Sequence, residues 1–217
     1  MKSRMSATQP TARSRRLSPA ERRQEIIEAA AALALEEGLA AVTYRGVAAR
    51  LGCAPGLVHH YFDVVEALEA EAFTHAVTTD FERTFEEAEE LGDAVAGLRH
   101  ILRVWVSESP EPHKTVWLDA WYLAARKPRV HAAVDHAMRT THGLLVAVLE
   151  RGLREDRFAP HDPDPLAWQL LTALDGVIVH SSLGVNRGIV DVRRTIARFT
   201  ETALGLERDA LASAFDN

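Results

Sequence analysis

Only one cysteine, Cys53, occurs in the 217 residues, so the chain cannot close a disulfide on itself, and a reducing, cytoplasmic setting fits it. That thiol lies in a turn of small residues, the setting of a structural cysteine and not of a nucleophile. No segment approaches the roughly 18 to 20 consecutive apolar residues that span a bilayer. No apolar stretch follows the basic N-terminus, so neither a membrane partner nor a signal peptide is expected. Strands lack support, because no run of alternating β-branched residues is bounded by turn dipeptides. No repeat of roughly 20 to 50 residues marks a solenoid. Metal motifs, a nucleophile elbow and a phosphate loop are missing, which argues against an enzyme, and no cofactor is expected.

What is present is enough apolar material for a core, 47% of residues, and an uneven distribution of charge. The net charge of -6 reads at first against a nucleic-acid partner, for which a basic domain is the usual footprint. Residues 1–60, however, carry nine Lys/Arg and five Asp/Glu, while residues 61–217 carry sixteen and twenty-six. Residues 1–23 alone hold seven basic side chains and one acidic. A basic front on an acidic body implies two modules with different partners. The expected division is a disordered basic arm over 1–18, rich in Ser, Thr, Arg and Pro, then a small domain over 19–63 and a larger one over 64–217.

Helical periodicity runs through the rest, so the expected fold class is all-α, with nine helices. The first runs from about Pro19 to Glu37. Ser18 and Glu21 have capping-box spacing, Pro19 suits the first helical position, and Gly38 ends the helix. Short helices follow at about Tyr44 to Leu51, capped by Thr43, and Ala54 to His60, with Gly52 in the turn between them. Longer helices are expected over Val64–Glu90, Asp93–Glu108, Lys114–Arg126 and Arg129–Arg157. Another starts at Asp162 and Pro163 and reaches about Val185. After a turn over Gly184 to Gly188, the last runs from Asp191 to near Gly205.

Two short helices joined at Gly52 have the layout of a helix-turn-helix, whose second helix enters a major groove. Gly52 permits the left-handed backbone such a turn needs. Gly56 leaves the backbone open to a phosphate. His59, His60 and Tyr61 offer polar atoms to phosphates or base edges, and Arg45 reaches toward a phosphate from the preceding helix. The basic arm adds attraction independent of sequence. A small helical subdomain that binds no DNA shares this layout, so the pattern alone leaves both readings open. His59 and His60 diverge on a helix and do not form a metal site.

Arg22-Arg23-Gln24-Glu25-Ile26-Ile27-Glu28-Ala29-Ala30, Glu37-Gly38, the segment from Gly52 to Phe62, and Glu66-Ala67-Leu68 together resemble the N-terminal domain of the TetR family of transcriptional regulators. The resemblance implies a three-helix DNA-binding domain and a six-helix domain for ligand binding and dimerisation. It implies DNA contacts at Thr43, Tyr44, Arg45, Pro55, Gly56, His59, His60 and Tyr61. The family usually has Ser where Ala54 stands, so the cap of the recognition helix is lost at a cost of about 1 kcal/mol. Val64 and Val65 occupy positions where the family often has a cap and a Lys; Asp63 is expected to take over the cap. His59, often Tyr in the family, makes phosphate contact pH-sensitive.

Val116-Trp117-Leu118-Asp119-Ala120-Trp121, Pro128 and Leu174-Asp175-Gly176-Val177 resemble the BetI-like subgroup, which leaves the ligand open. Trp105, Trp117, Trp121 and Tyr122 cluster in sequence, and Trp117 and Trp121 share a helix face. Aromatic walls with a few polar groups make small-molecule pockets, although tryptophans serve equally as core. The expected lining is His100, Trp105, Trp117, Trp121, His142, Trp168 and Asp175, with Asp119 as a further polar candidate. The aromatics permit an onium ligand without establishing one. His131, His136 and His142 are wrongly spaced for metal ligation on one face, so no metal is expected.

Apolar stripes at Leu170, Leu174, Val177 and Ile178, and at Ile196 and Phe199, are expected by resemblance to pair with a symmetry mate. The alternative is an ordinary intrachain core. The resulting expectation is a homodimeric regulator, most simply a repressor. Its partners are a pseudo-palindromic double-stranded DNA operator and a small-molecule effector that releases it. The rivals are a small enzyme using Asp119, His142 or Asp175, and an adaptor that only dimerises.

Overall fold

The computed structural model describes residues 17–106, 112–159, 161–183 and 191–215, and these are helical with no strand among them. Helix α1, Pro19–Glu37, starts at the reciprocal cap its sequence predicts: Glu21 N–H donates to Ser18 Oγ at 3.2 Å and Ser18 N–H to Glu21 Oε2 at 2.7 Å. A short 3-10 helix follows at Leu39–Ala41. Helix α2, Tyr44–Leu51, is capped by the Thr43 hydroxyl, which accepts from Gly46 N–H at 3.0 Å. Gly52 then turns the chain with φ 65° and ψ 31°, the left-handed backbone read from its identity. Helix α3, Pro55–Tyr61, begins at Ala54 with no side-chain cap, as expected.

Helix α4, Val65–Glu90, is 26 residues long, about 39 Å at 1.5 Å per residue. Its cap corrects the sequence expectation. Val64 occupies the cap position and makes no side-chain bond, so Asp63 lies one residue too early for its carboxylate to reach the first amides. The remaining helices are α5 (Ala94–Trp105), α6 (Pro112–Ala124), α7 (Pro128–Arg154), α8 (Pro163–Ser182) and α9 (Val192–Leu204), with a closing 3-10 turn at Ala212–Phe215. Asp93, Asp162 and Asp191 cap α5, α8 and α9 through their carboxylates. The expected turn at Gly184–Gly188 and residues 1–16 of the arm expected over 1–18 lie outside the described residues.

Helix α7 stops at Arg154, earlier than its periodicity predicts. Asp156 takes φ 53°, and the N–H groups of Arg157 and Phe158 both donate to Gly152 O, at 2.9 and 3.2 Å. The Phe158 ring thereby folds back over Gly152; a Cβ there would sit 2.0 Å from the ring. The glycine makes room for the reversal.

Two apolar cores result. One joins α1, α2 and α3 to the first half of α4, to α6, and to the first half of α7, around fully buried Ile26, Leu39, Leu68 and Phe73. The other joins the second halves of α4 and α7 to α5, α8 and α9, around Leu98, Ile101, Leu145 and Leu170. Both long helices therefore run through both cores. The buried carboxylate of Glu201 pins the end of the chain by accepting from Asp209, Leu211 and Ala212 N–H, at 3.2, 2.7 and 3.0 Å.

Candidate nucleic-acid interface and ligand cavity

In the N-terminal head, Val58 and Phe62 anchor α3 in the first core, while Pro55, Gly56, His59 and His60 stand exposed on its outer side. Nothing lies within 4 Å of where a Gly56 Cβ would be, so internal packing does not require the glycine; the backbone there is open to an approaching surface. Thr43 and Arg45 are exposed beside it. Tyr44 is half-buried and meets His59 edge-on, ring centroids 5.2 Å apart. Its hydroxyl is covered and has no hydrogen-bond partner among the described residues. Burial, then the nearby Asp63 charge, pushes the Tyr44 hydroxyl pKa up. Tyr44 thus props His59, and its own hydroxyl does not face outward. Tyr61 is half-buried, edge-on to His60 at 5.3 Å.

Most of the described head's positive charge is already engaged. Arg50 makes two bonds to Glu36, at 2.7 and 2.6 Å. Arg22 pairs with Glu25, and Arg23 pairs with Glu71 while its guanidinium lies 4.9 Å from the Phe62 ring. Arg45 is the one arginine of the head without an ion pair among the described residues.

Ala54 has the extended backbone of a helix cap, φ -77° and ψ 140°, and is exposed. Ala54→Ser is expected to raise stability by about 1 kcal/mol by restoring a side-chain acceptor for the α3 amides. The urea unfolding midpoint, at unchanged slope, measures it.

The body holds a mostly apolar cavity of about 90 Å³, room for several waters. Val77, Phe81 and Thr84 line it from α4, one face at i, i+4, i+7. Val104 and Trp105 come from α5, His113, Lys114 and Trp117 from α6, and Met138 and Thr141 from α7. Leu171, Leu174, Asp175 and Ile178 close it from α8. Burial pushes the Asp175 carboxyl up to about 6. The folded chain then holds a proton that the unfolded carboxyl releases, so between about pH 4 and 6 this group makes stability fall as pH rises.

Of the seven residues expected around a ligand, Trp105, Trp117 and Asp175 line the cavity. The other four do not. Trp121 stands behind the wall, tilted against Trp117 with centroids 5.6 Å apart. His100 turns to Glu87, with Nε2 3.0 Å from Oε2. His142 stacks on Trp168, centroids 4.4 Å apart, with Nε2 3.1 Å from Asp164 O, at the α7–α8 surface. Trp121 shares the α6 face of Trp117 but lies one turn further along, beyond the lining. The α4 contribution was missed, although the spacing of Val77, Phe81 and Thr84 carried it.

Asp119, a polar candidate for the pocket, instead crosses to the head: its Oδ2 accepts from Leu39 N–H at 2.8 Å. A Gly38 Cβ would meet that oxygen at 2.8 Å, and Gly38 has φ +90°, so the contact demands glycine. The start of α4 holds the α6–α7 corner in turn. Glu69, buried, takes two bonds from Lys127 Nζ at 2.7 and 2.6 Å, and Glu66 accepts from Arg129 N–H at 2.5 Å.

The stripe expected to pair with a symmetry mate lies mostly inside the chain. Leu170, Leu174, Val177 and Ile196 are buried in the second core, and Ile178 lines the cavity. Their periodicity reported a buried face, and the intrachain core is what buries it. Phe199 alone of the six is exposed, at 42%. Trp168, Thr172 and Leu183 stand exposed along the outer side of α8, where Gly176 also has open space above it.

A helix-turn-helix head sharing helices with a body that encloses an apolar cavity defines a DNA-binding regulator with a ligand-binding domain. Residues 26–71 match the bacterial regulatory proteins, tetR family, and residues 94–205 match the BetI-type transcriptional repressor C-terminal domain. The chain belongs to the TetR family, with a BetI-like C-terminal domain. Similar solved structures include a candidate transcriptional regulator from Pseudomonas aeruginosa PAO1, 28% identical, with TM-score 0.67 over 89% of this chain and 93% of that one. A candidate regulator from Saccharomonospora viridis, in complex with choline, is 24% identical, with TM-score 0.67 over 84% and 96%. A TetR transcription regulator from Haloarcula marismortui is 18% identical, with TM-score 0.64 over 85% and 99%. No curated protein matches the sequence. Members of this family are DNA-binding regulators and not enzymes, which removes the enzymatic reading of Asp119, His142 and Asp175.

Proposed function

We propose that the chain acts as a homodimeric repressor that binds a pseudo-palindromic operator and leaves it when a small molecule fills the cavity. The carrying observation is the geometry of α6. Lys114 and Trp117 line the cavity, and Asp119, on the same helix, holds the first amide of the Leu39–Ala41 turn in the head. A ligand that moves α6 changes what the head rests on. Only a ligand with different affinity for the two arrangements shifts their populations.

Each subunit presents Pro55, Gly56, His59 and His60 to a major groove, flanked by Thr43 and Arg45. The supported mate surface is the outer side of α8 and α9, with Trp168, Gly176, Leu183 and Phe199. Two-fold pairing there sets the spacing of the heads against the operator half-sites.

Titration of the chain with its own upstream DNA tests the reading. A salt-sensitive complex that prefers this DNA over scrambled sequence is expected. Arg45→Ala and His60→Ala should each weaken it about 10-fold or more, a loss of roughly 1 to 3 kcal/mol. Absence of any sequence-preferring complex overturns the proposal.

A further inference from the structure

Among the described residues, the partly or fully buried carboxylates are, with one exception, supplied with partners. Glu69 takes Lys127, Glu201 takes three backbone amides, and Asp119 takes Leu39 N–H. Asp175 faces an apolar cavity, and no hydrogen bond or ion pair among the described residues reaches it; burial is the sole cause of its shift. Asp175 is half-buried, and its oxygens are not sealed off but open to the cavity, so their donors come from what enters it.

An ionised carboxylate only accepts hydrogen bonds. Another part of the lining is aromatic: Phe81 sits with its ring centroid 5.7 Å from Trp105 and 5.9 Å from Trp117. Ring faces attract cations, and a fixed negative charge repels anions. Among the described residues, His113 and Lys114 on α6 are the other titratable groups that line the cavity; α4, α5 and α7 add none. His113 and Lys114 each already have an interaction of their own. The hydrogen-bonding capacity of Asp175 and the aromatic lining therefore agree on one kind of ligand.

We propose that Asp175 is the specificity residue of this cavity and selects a small protonated amine, with its N–H groups on the carboxylate and its apolar body against Phe81, Trp105 and Trp117. The inference rests on the regulator reading and names the chemical class of its effector.

The test uses the full chain and matched amine, alcohol and carboxylate probes of three shapes: benzyl, cyclohexylmethyl and butyl. Binding is read by tryptophan fluorescence and by thermal shift. At least one amine is expected to bind 10-fold or more tightly than its alcohol, with its carboxylate silent. Amine affinity should rise as pH increases through about 6, as Asp175 ionises. Asp175→Asn should cost the amine 10-fold or more and leave the alcohol unchanged. In the absence of probe it should melt higher at pH 7.5, which shows that it folds. Equal or better binding of alcohols or carboxylates, no amine binding at millimolar concentration, or an Asp175→Asn variant with its amine preference intact overturns the proposal. The same probes are added to the DNA complex. Asp175-dependent amine binding that leaves DNA bound sinks effector release but keeps the cavity's specificity. Release by a carboxylate alone keeps the regulator and sinks the amine.

Discussion

Deleting residues 1–16 is expected to lower DNA affinity about 100-fold or more near physiological salt and to flatten its salt dependence. In the described head, Arg22, Arg23 and Arg50 are committed to carboxylates of the same chain, which leaves Arg45 for phosphate. Residues 1–16 contribute Lys2, Arg4, Arg13, Arg15 and Arg16, five positive charges with a single sign. In a dimer these double. Each phosphate neutralised contributes about 0.9 to the slope of log affinity against log salt, so the slope should fall by roughly 4 to 9. Phosphate contacts carry no sequence information, so specific and scrambled DNA should weaken together and their ratio should stay put. A truncated chain with an unchanged slope would show that the head neutralises phosphate on its own.

Asp119→Ala is expected to separate sensing from reading. The substitution leaves the Leu39 N–H, in a fully buried residue, without its acceptor, at a cost of about 1 to 3 kcal/mol in stability. DNA binding without effector should persist, because the proposed reading surface on α3 is untouched. The effector's ability to release DNA should fall 10-fold or more, since α6 no longer grips the head. Asp119→Asn keeps an oxygen acceptor in place and should retain part of the response. Gly38→Ala, which drives a methyl toward the same carboxylate, should behave like Asp119→Ala. The readout is the effector concentration for half-release in an anisotropy titration, taken with a melting curve. Full response in both damaged variants would remove α6 as the link.

Local chemistry was readable in the chain, and distant chemistry was not. Ser18 with Glu21, Thr43, Gly52 and the three capping aspartates mark helix ends because their partners lie within three residues. The loss of a cap at Ala54 was readable for the same reason. Asp119 finds its partner 80 residues away, and nothing in its neighbourhood distinguishes a ligand contact from an interface bond. Leu170 and Leu174 show that an apolar stripe states that a face is covered and leaves open by what. His142 and Trp168, 26 positions apart in sequence, meet as a stack at the surface. Their types suited a pocket equally well. Asp175 was legible as a polar residue among apolar ones, but its lack of a partner was visible only after the surrounding helices were in place.

Because α4 and α7 pass through both apolar cores, the head carries no private interior. Ile26 and Leu39 share their packing with Trp117 and Ala120 of the body. Joining this head to another family member's body at residue 63 would therefore bring together two surfaces shaped for different mates. A chimera meant to redirect the regulator to a new promoter needs a seam that follows the first core: residues 19–77, the facing side of α6 and the opening turns of α7 would have to travel together. With α3 as the proposed reading helix, exchange of DNA specificity is easier by changing its few exposed side chains than by trading whole segments.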